Sequence, residues 1–286
     1  MSTDGPNGAG AASPRLSCVD SAFPRLSHAA ALRVIGDLGF EAVDICVWAG
    51  YDHTPPDLVV ADPARAADVV GTRLEQEGLV CSDVFGMLGT TFATLAINDP
   101  DEQVRAETAR HFDALVEFAT RLSAPGITIL PGVEFDEHSL DRSAHELQRR
   151  AEIAGEAGLG LSVEPHYDSI VPTPQRALEL MERTTDVTYT LDLSHFAFQG
   201  IAQAESDALF PHTRHVHLRQ GNTELMQTRV DEGDIDFHLL RDGLVAAGYD
   251  GWLAVEYQWE EGWLDFTRVD CISETAELRA LMLEGS

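Results

Sequence analysis

Residues 158–166 read GLGLSVEPH. Gly158 stands where a helix stops, since a C-terminal cap needs φ > 0, and the apolar run behind it has the length of a buried strand. That strand ends on Glu164, a carboxylate whose burial is costly unless something positive meets it. The same order, an amphipathic helix, a glycine with a large apolar residue and a short β-rich run, recurs as GFEAVDICVW (39–48), GLVCSDVFG (78–86), GITILPG (126–132) and GYDGWLAVEYQ (248–258). Each glycine is placed as a helix cap. The alternation predicts strands over 15–20, 42–47, 79–85, 126–130, 160–164, 188–192, 214–218 and 252–256, with helices between them and a last one near 268–284.

Eight strands, each followed by a helix, close a parallel barrel, whereas a doubly wound sheet usually stops at five or six. The expected fold class is α/β, a single (β/α)8 TIM barrel with a parallel eight-stranded sheet. The length of 286 residues suits it. No linker divides the chain after residue 14, so 15–286 reads as one barrel domain. The opening MSTDGPNGAGAAS has no basic, apolar or cleavage region of a secretion signal, and 1–14 reads as a disordered tail. Longer connections at 48–62, 86–100 and 219–235 are expected to roof the C-terminal face, where barrel enzymes keep their active sites.

With 19 basic residues against 48 acidic ones the formal charge is −29. Such a polyanion repels phosphate backbones and anionic lipid, which argues against nucleic-acid and membrane partners. Every basic residue is arginine, and the absence of lysine removes Schiff-base chemistry, lysine general bases and a P-loop lysine. Cys18, Cys46, Cys81 and Cys271 are scattered, the first three in apolar strand-like runs, as reduced thiols of a cytoplasmic protein would be. No stretch approaches the length of a membrane span. A homo-oligomer stays open.

Strand side chains alternate between faces, so the last four strands divide into inward and outward sets. Leu161 and Val163, Tyr189 and Leu191, Val216 and Leu218, and Leu253 and Val255 face the helices. Ser162 and Glu164, Thr188, Thr190 and Asp192, His215 and His217, and Ala254 and Glu256 face inward. Glu164, Asp192, His217 and Glu256 therefore point toward the axis near the C-terminal mouth. Three carboxylates so close repel strongly, and one divalent cation relieves that. Oxygen donors with an imidazole and no thiolate favour Mn²⁺, with Mg²⁺, Co²⁺ or Zn²⁺ as alternatives. His215, one layer deeper, reads as a hydrogen-bonded core histidine. His195, three residues past Asp192, suits either a substrate oxygen or a simple turn.

The segments VEPHYDS (163–169), LDLSHF (191–196), HVHLRQ (215–220), EGDIDFHLLRDGLVAAGYDG (232–251) and VEYQ (255–258) resemble, in that order and spacing, the xylose-isomerase-like barrel superfamily of sugar phosphate isomerases and epimerases. The resemblance covers the C-terminal half closely and the rest by architecture. It implies that Glu164, Asp192, His217 and Glu256 are the metal ligands and that Glu164 and Glu256 are also the catalytic acid/base pair. The implied activity is a divalent-metal-dependent isomerase or epimerase acting on a ketose or keto-sugar through a metal-stabilised enediolate. His166 and Arg219 are expected to reach toward substrate hydroxyls, though Arg219 suits pairing an acid equally well. Related barrels place a substrate histidine where His53 lies. Trp48 and Trp259 are candidates for walls of the sugar site or for packing caps.

The sequence after Glu164 departs from the ketose 3-epimerases and is closer to less characterised relatives and to C-glycoside deglycosidase subunits. A lyase, a keto-inositol dehydratase or a deglycosidase-like enzyme, is therefore the alternative. A metal-dependent phosphoesterase of the apurinic-endonuclease kind would need further histidines on strands 2 and 3, where only His53 is found. A non-catalytic sugar-binding barrel is the remaining alternative. No lysine or glycine-rich phosphate loop favours a phosphorylated substrate over a neutral one.

Overall fold

A computed structural model describes residues 14–262 and 264–284. The expected tail lies, except for residue 14, outside the described residues. The strands are β1 (Arg15–Val19), β2 (Ala42–Trp48), β3 (Val80–Met87), β4 (Gly126–Ile129), β5 (Gly160–Val163), β6 (Val187–Asp192), β7 (Thr213–Leu218) and β8 (Trp252–Val255). All neighbours pair in parallel, and β1 pairs with β8, which closes the barrel in sequence order.

The helices are α1 (His28–Asp37), α2 (Pro56–Ala61), α3 (Pro63–Glu77), α4 (Glu102–Arg121), α5 (Ser139–Glu156), α6 (Pro174–Met181), α7 (Ser194–Phe198), α8 (Phe237–Ala246) and α9 (Cys271–Leu283). Their starts follow from side-chain caps: Ser27, Asp62, Asp101, Thr173, Asp236 and Asp270 each accept a hydrogen bond from a first-turn N–H. Gly39, Gly78, Gly158 and Gly248 carry φ between +69° and +88° at the helix-to-strand turns. GITILPG differs. There Ser123 takes the left-handed position, at φ +55°, and Gly126 is required for another reason: a Cβ on it would lie 2.6 Å from the Arg214 guanidinium carbon.

The outward residues of β5 to β8 are buried against the helices, as the alternation predicts. Inside the barrel the packing is polar, whereas branched aliphatic layers are usual. Ser17, Asp44, Ser82, Asp83, Thr128, Ser162, Thr190 and His215 are all at most 1% exposed. Each buried acid there has partners. Asp83 meets Arg214 at 2.9 Å and accepts from Thr128, while Arg214 also donates to Ser162 Oγ at 2.7 Å. A shift of register at Tyr189/Thr190, where β6 meets β7, accompanies the entry of Arg214 beside His215.

Candidate active site

Glu164 and Glu256 lie one residue past β5 and β8 yet extend the ladder. The Glu164 N–H donates to Ile129 O at 3.2 Å and the Glu256 N–H to Leu218 O at 2.9 Å. Asp192 ends β6, and His217 is next to last in β7. All four residues are at most 3% exposed at the C-terminal end of the strands. His217 Nδ1 lies 2.8 Å from Glu164 Oε1 and 3.3 Å from Glu256 Oε2.

Among the described residues no group of donor atoms within 4.8 Å takes in all four at once. Their donor atoms fall into two groups sharing Glu164, one with His217 and Glu256 and one with Asp192 and His195, each within 4.8 Å. Asp192 turns toward Arg219, whose Nη2 lies 2.6 Å from Asp192 Oδ2 and 3.7 Å from Glu256 Oε2. Ser194 adds an N–H and a hydroxyl to Asp192, at 2.8 and 2.9 Å. Of the two roles open to Arg219, the structure shows ion pairing, and the residue is 3% exposed.

The donor chemistry fits a divalent cation. Glu256 Oε1 accepts from Gln258 at 2.9 Å, while Oε2 is buried without a hydrogen bond. An unsatisfied buried carboxylate oxygen facing an imidazole nitrogen and a second carboxylate is what a hard-to-borderline ion needs. These buried groups could hold such an ion, and protons compete for the same atoms. Burial raises Glu256 to about 8, a shift that His217 and Arg219 only partly oppose. Burial works against a charge on His217, but Glu256 and the hydrogen bonds to Asp44 and Glu164 outweigh it and hold the ring well above the usual histidine value. Binding an ion must displace these protons, so apparent Mn²⁺ affinity should rise with pH, by roughly tenfold per pH unit for each proton lost, and the share due to Glu256 should end above about 8. Calorimetric titrations from pH 6 to 9 measure this, and a flat profile would contradict it.

Above these groups opens a cavity of about 340 Å³. Trp48, Tyr51, Phe85, Met87, Phe92 and Leu130 form an apolar wall on the β2 to β4 side. Glu164, His166, His195, Arg219, Glu256 and Gln258 form the polar side, with Asp168 and Glu260 also lining it. His166 and His195 pack against each other with ring centroids 3.9 Å apart and planes tilted by 46°. Burial pushes both far below the usual histidine value, helped at His166 by His195 and Arg219 and at His195 by Arg219 and His217. Burial thus favours the uncharged form of both rings, and His195 Nδ1 is buried without a hydrogen bond.

Two candidates lie elsewhere. His53 is not part of the cavity lining: its Nε2 lies 3.0 Å from Leu26 O and its ring stacks on His28 at 5.1 Å. Trp259 also faces away, lining a groove with Phe23 and Leu26 beneath the Arg25 guanidinium. Gln227 explains this, because its side chain accepts from the Gln258 N–H and donates to the Gln258 carbonyl, both at 2.8 Å, fixing the turn before Trp259. Sequence reasoning missed Tyr51, Phe92, Asp168, Gln258 and Glu260, which are loop residues outside the strand periodicity. It also missed Asp44, under His217.

Comparisons with known proteins agree with this architecture. An inosose dehydratase from Geobacillus thermodenitrificans is 26% identical over 200 residues, 58% of this chain, and the match spans 66% of that relative's length. The structure of 3-keto-D-glucoside 4-epimerase from E. coli superposes with a TM-score of 0.71 at 17% identity, covering 94% of this chain and 98% of that one. D-psicose 3-epimerase from Clostridium cellulolyticum, solved with D-tagatose, gives 0.73 at 14% identity, with the same coverage of 94% and 98%. A family model described as xylose isomerase-like TIM barrel matches residues 32–279. The chain belongs to that xylose isomerase-like TIM barrel family.

Proposed function

We propose that this protein is a divalent-metal-dependent isomerase or epimerase that moves a proton next to the carbonyl of a ketose or keto-sugar. The observation that carries the reading is the pair Glu164 and Glu256. Both line the cavity, both reach His217 Nδ1, and they stand three strands apart around the ring. Carboxylates so spaced suit removal of a proton on one face and its return on the other. A divalent ion held by Glu164, Asp192, His217 and Glu256, with Mn²⁺ the first choice, would supply a Lewis acid for the carbonyl oxygen. Neutral His166 and His195 would orient hydroxyls, Gln258 would fix the Glu256 carboxylate, and the Trp48–Phe85 side would exclude water from the exposed carbon. The four cysteines are buried and unpaired, in keeping with a reducing cytoplasm.

A lyase is the second reading, favoured by the inosose dehydratase match. It uses the same proton abstraction and then expels a β-group. Incubation with 3-keto-sugars and with a keto-inositol in D₂O separates the two. Deuterium in an intact sugar supports epimerisation, loss of water supports the lyase, and neither outcome would overturn both.

The lining also bears on charge. Asp168 and Glu260 stand at the cavity with Glu164 and Glu256, and Arg219, the one arginine lining it among the described residues, is paired with Asp192. A neutral keto-sugar should therefore be turned over at least about tenfold more efficiently than its phosphate ester, because like charges meet at the entrance. Equal kcat/KM for both would contradict this.

A further inference from the structure

Asp44 lies in β2 one layer below the proposed catalytic pair and is 0% exposed. Its Oδ2 is 2.6 Å from His215 Nε2 and 3.3 Å from His217 Nε2. Its Oδ1 accepts from Ser82 Oγ at 2.5 Å and Ser17 Oγ at 3.5 Å. One carboxylate thus gathers groups from β1, β3 and β7, where a barrel interior would ordinarily hold an aliphatic side chain. An ion centred on Asp44, His215 and His217 would compete with four hydrogen bonds already made to the two oxygens. Another role fits better. The His217 ring lies between Phe85, 5.5 Å away, and the edge-on ring of His215, 5.3 Å away, so packing sets its plane. What packing leaves open is which nitrogen faces the mouth and which one carries hydrogen.

We propose that Asp44 is a positioning residue for His217: it accepts the Nε2–H, so that Nδ1 is the nitrogen presented to Glu164, Glu256 and a bound divalent ion. The inference rests on the metal reading above and adds a residue outside the ligand set. A carboxylate behind a ligating imidazole fixes its tautomer and raises its basicity, and loss of such a partner typically weakens metal binding about 10–100-fold. Asp44→Asn keeps the shape and removes the charge. Asp83→Asn is the matched control, since Asp83 is an equally buried carboxylate of the same interior that pairs with Arg214.

The test measures Mn²⁺ dissociation constants of the three full-length proteins by calorimetry, with their thermal midpoints. The proposal expects about a tenfold or greater loss of affinity in Asp44→Asn and a loss within about threefold in Asp83→Asn. Equal affinities in the two variants would overturn it, leaving Asp44 a structural acid. A wild type that binds no Mn²⁺ would overturn the metal reading and this inference with it. Should Asp44→Asn not fold, nitrogen NMR of histidine-labelled, Mg²⁺-loaded wild type decides: a proton on His217 Nε2 and none on Nδ1 supports the proposal, and the reverse tautomer ends it.

Discussion

Glu256→Gln should lower turnover by about a thousandfold or more while leaving the barrel folded. General acid–base catalysis by one positioned group is worth roughly 10²–10⁴, and the same change removes a charge from the proposed ion site. The fold should survive because glutamine is nearly isosteric and its carbonyl oxygen can still accept the Gln258 hydrogen bond made at 2.9 Å. The buried Oε2 makes no hydrogen bond that the substitution would break. Turnover and C–H exchange in D₂O should fall together, with weakened Mn²⁺ binding, and the thermal midpoint should move by only a few degrees. A variant keeping more than a tenth of its activity would remove Glu256 from the proposed chemistry.

The strands β2, β3, β5 and β8 were legible because two independent signals coincide at them, and the others from the second signal alone. Glycine marks the helix stop, and outward residues such as Leu161, Val163, Val216 and Leu218 mark the buried face. The exception is instructive: at Gly126 the helix stop is Ser123, and the glycine answers to Arg214, which is 88 positions away and has no local signature. The burial of Glu164, Asp192, His217 and Glu256 at the mouth follows from alternation within single strands. The turn of Asp192 toward Arg219 does not, because it depends on the path beyond β7 and on Ser194. Loop residues were the least legible. His53 and Trp259 were placed by analogy and by position after a strand, but His28 and Gln227 decide where they go. Asp44 could have been found. An acid midway along the apolar run AVDICVW needs a cation or donors, and His215 was the inward histidine read as hydrogen-bonded with no partner named.

Arg219→Met should cost the protein roughly 3–5 kcal/mol, the usual loss when one partner of a buried ion pair is removed and the other charge stays inside. Arg219 Nη2 is 2.6 Å from Asp192, Nε donates to Ser194 Oγ at 3.2 Å, and the guanidinium lies 5.1 Å over Phe266. Methionine retains much of that packing, so the loss isolates the charge. At roughly 2–4 °C per kcal/mol for a chain of this size, the thermal midpoint should fall by about 10 °C. A divalent ion supplies positive charge to the same carboxylates, so saturating Mn²⁺ should raise the variant's midpoint by more than it raises that of the wild type, and bind it more tightly. Arg219 and the ion are then alternative counter-charges for one acidic cluster. If Mn²⁺ stabilises both proteins equally, Asp192 belongs to Arg219 alone, and the ion site reduces to Glu164, His217 and Glu256.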